Sequence, residues 1–294
     1  MQLRDIEYFL AVAEHGQVGR AAQACNVSQP TLSMQLRKLE ESLGTALFER
    51  LPRSMRLTAA GEALLPKARA VLQAQRSLLQ AATHLTDPLA GEMVLGVFPT
   101  LAPYLLPRIV PKITQSMPQL QLRLVEEKTS TLIQMLQQGD LDAALLALPI
   151  DVPNLSARLL FHEPFLLAAG RQHPLATGTK PITLKSLQQE DVLLLEEGHC
   201  LRDQALSICQ QVGAAETRAF RATSLETLRQ MLRVGPIVTL MPQLAAEADT
   251  SGEVIYRRFA NPAPGRDIAL VMRSSDPRGR LMTGMEKAIQ SAMK

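Results

Sequence analysis

Cys200 and Cys209 carry the most reactive chemistry in this 294-residue chain. They lie in the runs Gly198-His199-Cys200-Leu201-Arg202-Asp203-Gln204-Ala205 and Ser207-Ile208-Cys209. A thiolate, not a thiol, attacks an oxidant, and a thiol pKa falls beside cations or at a helix start. Cys200 meets both conditions in sequence: a helix is expected after Gly198, and His199 and Arg202 are its neighbours. A depressed pKa is therefore expected there. Cys209 stands among Leu206, Ile208 and Val212, the pattern of a buried helix face. On this chemistry Cys200 would be oxidised to a sulfenic acid and Cys209 would condense with it. Geometry opposes the step. If 201–212 is helical, the two residues are separated by roughly 13–14 Å along the axis, whereas a disulfide needs Cα atoms within about 7 Å. Either the pair never bonds, as two unrelated cysteines, or the helix must unwind. The remaining cysteine, Cys25, sits among Ala21, Ala22 and Ala24 and reads as a small buried apolar residue.

The elements that must position these groups form two contrasting patterns. Apolar residues make up 46% of the chain, enough for real cores, and no apolar run is long enough to span a bilayer. The N-terminus opens directly into an amphipathic pattern, so no signal peptide and a cytoplasmic location are expected. Disulfides there are rare unless transient, catalytic or redox-sensing. No metal, cofactor or membrane partner is expected. Net charge is only +3, and residues 1–62 hold seven Lys/Arg against seven Asp/Glu, so charge alone does not decide for nucleic acid.

In the first pattern, Leu3, Ile6, Phe9, Leu10 and Ala13 recur at helical spacing up to Gly16. A short helix over Val18–Ala24 follows, then a turn at Asn26-Val27. Ser28 caps a third helix with Pro30 in its first turn. Leu32, Leu36, Leu39 and Leu43 fall on one face; Pro30, Thr31, Met34, Arg37 and Lys38 fall on the other, with Gln29 and Ser33 on the flanks. Two short helices joined by a tight turn describe a helix-turn-helix reader. Gln29, Thr31 and Ser33 are short enough to reach base edges, and Arg37 and Lys38 suit phosphates. Glu49–Thr58 reads as a wing carrying Arg50, Arg53 and Arg56 toward the backbone. A small helical bundle without a partner is the plain alternative. Thr58 then caps a long helix in which Leu65, Ala68, Leu72, Gln75, Leu79 and Ala82 form a heptad seam. A two-fold dimer would bury it and would match palindromic half-sites.

Beyond Asp87-Pro88, short apolar runs alternate with amphipathic helices. Strands are expected at 93–98, 121–125, 143–148, 192–195, 219–222, 237–240 and 268–272. Helices are expected at 103–116, 129–138, 201–212, 225–233 and from about 277. The alternation predicts an α/β domain with a mostly parallel sheet. Thr100 and Thr129 follow the first two strands, where each would cap the next helix or face a cleft at the strand ends.

The run Ala21-Ala22, Ser28-Gln29-Pro30-Thr31-Leu32-Ser33, Leu39-Glu40, Leu43-Gly44, Leu47-Phe48-Glu49-Arg50, Leu57-Thr58 and Gly61 resembles the N-terminal signature of the LysR-type transcriptional regulators. Three further stretches resemble the peroxide-sensing members of that family. They are the run around Cys200, Phe220-Arg221-Ala222-Thr223-Ser224-Leu225-Glu226-Thr227-Leu228-Arg229, and Pro99-Thr100 with Pro103-Tyr104-Leu105-Leu106-Pro107. The resemblance implies a winged helix-turn-helix domain over 1–58, a linker helix over 59–88 that dimerises, and an effector domain over 89–294. The effector domain would resemble periplasmic binding proteins, with one subdomain from 89–162 and 268–294 and a second from 163–267. It implies Cys200 as the peroxidatic and Cys209 as the resolving cysteine, and Thr100, Thr129, His199 and Asp203 as the peroxide pocket. Gln29, Pro30, Thr31, Ser33, Met34, Arg37, Arg50 and Arg53 become the expected DNA contacts. A homodimer or homotetramer that binds double-stranded DNA, responds to hydrogen peroxide and engages RNA polymerase to activate genes is the implied regulator, not an enzyme. A LysR-type regulator gated by a small metabolite in the inter-subdomain cleft is the rival. One departure stands out: Gly235-Pro236-Ile237 replaces a more flexible Gly-x-Gly.

Overall fold

The computed structural model describes residues 1–52, 54–217 and 221–293, in two compact units, Met1–Leu85 and Thr86–Lys294. In the first unit, α1 (Leu3–His15), α2 (Val18–Ala24) and α3 (Gln29–Leu43) enclose a small core. Of the expected α1 residues Ile6 and Phe9 are buried, Leu10 and Ala13 are half-buried and Leu3 is exposed; Val12, outside that set, is buried, as are Leu32, Leu36 and Leu39 of α3. Gly16 and Gly44 end α1 and α3 in the left-handed conformation that glycine adopts without strain. Ser28 caps α3, its Oγ accepting from Thr31 N at 3.3 Å, and Pro30 costs nothing in the first turn. Leu43, expected on the buried face, is 40% exposed because it stands in the last turn, past the end of the core. Cys25 is half-buried at the end of α2 rather than enclosed.

The wing is the antiparallel pair β1 (Phe48–Leu51) and β2 (Ser54–Leu57), with Phe48 opposite Leu57 and Glu49 opposite Arg56. Its expected Arg53 lies outside the described residues. Thr58 begins α4 (Ala59–Thr86) as expected, its Oγ1 accepting from Gly61 N at 3.0 Å. The heptad seam is only partly free. Leu64, Leu65 and Ala68 pack on the unit's own core, Leu72 is buried, and Val71, Leu78 and Leu79 are exposed.

The second unit runs β3 (Gly91–Val97), α5 (Ala102–Ser116), β4 (Leu120–Glu126), α6 (Thr129–Gln138), β5 (Ala143–Ala147) and β6 (Leu155–Gly170). It continues through β7 (Asp191–Val192), α7 (Cys200–Val212), β8 (Ala215–Glu216), α8 (Leu225–Met231), β9 (Val238–Pro242) and α9 (Gln243–Glu247). It ends with β10 (Val254–Arg258), β11 (Gly265–Arg273) and α10 (Gly279–Ala292). The sheet order is β4-β3-β5-β11-β6-β9-β7-β8, with β10 also on β6. The sheet is mixed rather than mostly parallel. β3 pairs in parallel with β4 and β5, and β7 with β8 and β9, but β11 and β6 pair antiparallel with all their neighbours. The reason is β6, which the sequence did not suggest because Arg158, His162, Glu163 and Pro164 interrupt its apolar pattern. It is 16 residues long; its first part pairs with β11 and its last part with β9 and β10.

Two cores result. One gathers Met93, Leu95, Leu105, Ile109, Leu145 and Leu270; the other gathers Phe165, Leu167, Leu193, Leu201, Leu228 and Leu240. Of the strand expected at 219–222, residues 219 and 220 lie outside the described residues; Ala222 forms an isolated parallel bridge with Leu195. Among the described residues no helix is long and apolar enough to cross a membrane.

Gly61 has the least room of the glycines in the first unit. A methyl group there would drive into the carbonyl of Leu47, which is backbone and cannot swing away. Gly61→Ala is expected to destabilise this unit by about 1–3 kcal/mol, the usual cost of overpacking. Thermal unfolding of the variant checks this; an unchanged midpoint would show that the wing junction relaxes freely.

Candidate functional site

Cys200 is the first residue of α7. Gly198 (φ +90°) makes the turn before it, and a side chain there would crowd Lys128, so the turn calls for glycine on two counts. His199 occupies the N-cap position in extended conformation and is buried. The half-buried Cys200 packs against the first core although its helix belongs to the second.

The charge that faces its thiol is Arg266, at the start of β11. Arg266 is fully buried between the rings of Phe98 and Phe165, 5.0 and 6.0 Å from their centroids. Its Nε donates to Glu163 Oε2 at 2.7 Å, Nη1 to Thr100 Oγ1 at 2.9 Å, and Nη2 to the Thr100 carbonyl at 3.1 Å. The other Glu163 oxygen accepts from Leu244 N at 3.1 Å. Thr100 is therefore the acceptor that fixes this guanidinium and not a helix cap, since α5 is capped at Leu101. Thr129 is likewise the first residue of α6, after the Lys128 cap. Its hydroxyl is buried without a regular hydrogen-bond partner among the described residues and acts on the Cys200 thiol.

The expected depression of the Cys200 pKa is not found. Burial dominates and holds the thiol above its ordinary value; Arg266, the Thr129 hydroxyl and the Leu201 amide pull it down, and Asp203 pushes it up. Arg202 does not help, because its Nη2 turns to Glu216 at 3.4 Å on β8. His199 is kept below its usual pKa, first by burial and then by Lys128, against the opposing Glu196. Asp203 is exposed and lines a separate groove of about 520 Å³ with Gln204 and Ser207.

Cys209 is fully enclosed in the second core. Burial, reinforced by Glu216, pushes its thiol up to about 11. Both cysteines are free thiols, and α7 is helical throughout, so the axial separation of roughly 13–14 Å stands. Among the described residues no cluster of three or more His, Cys, Asp or Glu could hold a metal ion.

The expected DNA-reading residues share one unit. Gln29 and Pro30 are exposed at the start of α3, Met34 is 51% exposed, and Arg37 and Lys38 are exposed, while Thr31 and Ser33 are half-buried. The Thr31 hydroxyl lies 2.7 Å from that of Ser28. Arg50 is exposed on β1. Glu40, part of the N-terminal signature but with no role expected of it, ties α3 to the wing: its Oε1 accepts from Leu47 N at 2.8 Å and Phe48 N at 3.3 Å.

Residues 3–62 match the family described as bacterial regulatory helix-turn-helix protein, lysR family, and residues 86–294 match the LysR substrate binding domain. The chain belongs to the LysR family of DNA-binding transcription regulators. Over 294 residues it is 42% identical to the Escherichia coli DNA-binding transcriptional dual regulator OxyR, covering 100% of this chain and 96% of that one. A hydrogen peroxide-inducible genes activator from Dickeya chrysanthemi is 44% identical over 282 residues, covering 95% and 92% of the two chains. Among solved structures, a full-length OxyR variant from Pseudomonas aeruginosa superposes with a TM-score of 0.78 at 34% identity, over 99% of this LysR-type chain and 98% of that one. An H2O2-bound OxyR mutant from Corynebacterium glutamicum gives 0.69 at 34% identity, over 99% and 92%.

Removing the Arg266 charge takes away the strongest influence lowering the Cys200 pKa. Arg266→Met is therefore expected to slow alkylation of Cys200 at neutral pH and move its pH profile upward, measured with iodoacetamide in a Cys25→Ser/Cys209→Ser background. It also leaves Glu163 buried and unpaired, at a cost of about 3–5 kcal/mol. A profile that does not move would show that Arg266 serves the fold alone.

Proposed function

We propose that this LysR-type regulator senses hydrogen peroxide through a reversible disulfide between Cys200 and Cys209. The observation that carries the reading is the placement of the two thiols. One faces a buried guanidinium at the start of α7, and the other is sealed into the core near its end. The Cys200 thiolate attacks one peroxide oxygen, the O–O bond breaks, and Cys200 becomes a sulfenic acid with loss of water after proton transfer. The Cys209 thiolate then attacks the Cys200 sulfur, water leaves, and the disulfide forms. Thr129, the Arg266-bound Thr100 and the neutral His199 supply the polar groups around the reacting atoms, and Asp203 adds its charge from the exposed side of α7.

Closure requires α7 to unwind. The short ring contributes about 2–3 kcal/mol by the chain-entropy account, against packing of Leu201, Leu206 and Ile208 worth about 1.5–3 kcal/mol each when fully buried. Closure gives up more packing than the ring constraint returns, so the disulfide is one that cellular thiols can reverse. Residues 1–58 read DNA, 59–88 dimerise, and the effector domain over 89–294 reports the redox state. In that domain the subdomains are 89–162 with 268–294, and 163–267. Gln29, Thr31 and Ser33 read bases; Arg37, Arg50 and Arg53 hold phosphates; Pro30 and Met34 pack at the groove. Relatives titled hydrogen peroxide-inducible genes activator support activation as the outcome.

Cys200→Ser is expected to abolish peroxide-driven transcription while DNA binding persists, and peroxide is expected to increase hydrogen exchange across 200–212 in the unmodified protein. Thiol mapping by mass before and after stoichiometric peroxide tests the pairing. An intact peroxide response in the serine variant, or two cysteines left reduced while an added metabolite switches transcription, would sink the reading. On the DNA side, Arg50→Ala is expected to weaken binding to all sequences and flatten the salt dependence. Thr31→Ala should cost about 1–3 kcal/mol of discrimination instead. Competition binding at several salt concentrations separates the two; equal loss of specific and non-specific binding by Thr31→Ala would reverse the roles.

A further inference from the structure

We propose that Lys128 is a positioning residue for the thiol site, strapping the loop that launches α7 to the start of α6 and thereby setting how readily the Cys200–Cys209 disulfide forms. The inference rests on the peroxide-sensing reading. Lys128 immediately precedes Thr129 at the cap of α6, a helix that buries Leu132 and Leu136 in the first core. The loop it reaches leads into α7, whose Leu201 and Cys209 lie in the second core.

Three consecutive loop residues meet this one side chain. Nζ donates to Glu196 Oε1 at 3.0 Å and to the Glu197 carbonyl at 3.3 Å. The stem lies so close over Gly198 that a Cβ there would stand 3.2 Å from Lys128 Cδ. Glu196 is itself fixed from behind, its N–H donating to the Ala222 carbonyl at 2.9 Å. The same Glu196 oxygen lies 3.9 Å from His199 Nε2. Lys128 thus governs the segment before Cys200, while the adjacent Thr129 acts on the sulfur itself.

A helix that unwinds from its first residue must move this loop. The contacts of Lys128 exist only while the loop is seated, so they favour the thiol form over the disulfide. Lys128 and Glu196 side chains are 39% and 40% exposed, so the effect is modest, about two- to five-fold, as for other part-exposed ion pairs. A strap of this strength adjusts the threshold of the switch without blocking it.

The test uses full-length protein equilibrated in glutathione buffers, where the disulfide plus two glutathiones exchanges with the dithiol plus glutathione disulfide. The ratio is read by alkylation and mass measurement. Lys128→Met keeps the stem and loses the ammonium; it is expected to raise the disulfide-to-dithiol ratio two- to five-fold, and Lys128→Gln should act alike. Lys128→Arg should stay near the unmodified protein, and the charge swap Lys128→Glu/Glu196→Lys should restore most of the shift. In the Lys128→Met dithiol, the His199 pKa read by NMR should rise, since Glu196 and the Thr223 backbone remain as its partners and the repelling cation is gone. An unmodified protein that forms no Cys200–Cys209 disulfide overturns the sensing reading and the strap with it. A normal disulfide whose ratio does not shift in Lys128→Met, or shifts equally in Lys128→Arg, overturns the strap alone.

Discussion

The effector unit depends on one fully buried cation. Arg266 spends its donors on Glu163 and Thr100 and stacks between Phe98 and Phe165, so strands β6 and β11 and the β3–α5 junction meet at a single guanidinium. A buried pair of this kind contributes little net stability but is costly to break by halves. Its consequence is a fixed positive charge in a poorly solvated place, where Coulomb terms act with less screening. That is where the Cys200 thiol stands.

The two thiols are thereby held in opposite conditions. Burial opposes ionisation at Cys200, whereas Arg266 and Thr129 favour the thiolate, so in the proposed sensor reactivity would come from preorganised partners and not from a resting anion. Cys209 has no such partner among the described residues; burial and Glu216 keep it protonated while α7 is intact. Unwinding would remove the burial and let it act as a nucleophile. A thiol with a buried cation beside it at one end of the helix and a sealed thiol at the other follow from the same packing.

Local rules made much of this fold legible. Ser28, Gly16, Gly44 and Thr58 punctuate helices through contacts a few residues away, and α6 runs from Thr129 to Gln138 as its pattern predicts. What escaped was non-local. Arg266 and Glu163 are 103 residues apart in sequence, and neither local pattern announces the other. β6 was hidden by polar residues that serve the crossing between the two cores. The Cys200 pKa is not depressed as its neighbours suggest, because burial outweighs the charges and because Arg202, two residues on, points to a different side of the helix, where Glu216 takes it. Thr100 and Thr129 both follow strands, but neither is a helix cap: α5 is capped at Leu101, and α6 is capped at Lys128 and begins on Thr129 itself.

Strands β6 and β11 run side by side in antiparallel register from Leu155 opposite Arg273 to Pro164 opposite Gly265, with an irregularity at Ile268/Ala269. β6 leaves one core and enters the other, while the buried core residues of β11 all lie in the first. A strand shared in this way behaves as a torsion bar: pulling the cores apart would strain its backbone, whereas rotating one against the other only changes a twist that strands already possess. Arg266 and Glu163 are bolted one rung from the end of the ladder, just before β6 enters the second core. A rearrangement of α7 would therefore reach the far core as torque, delivered along β6.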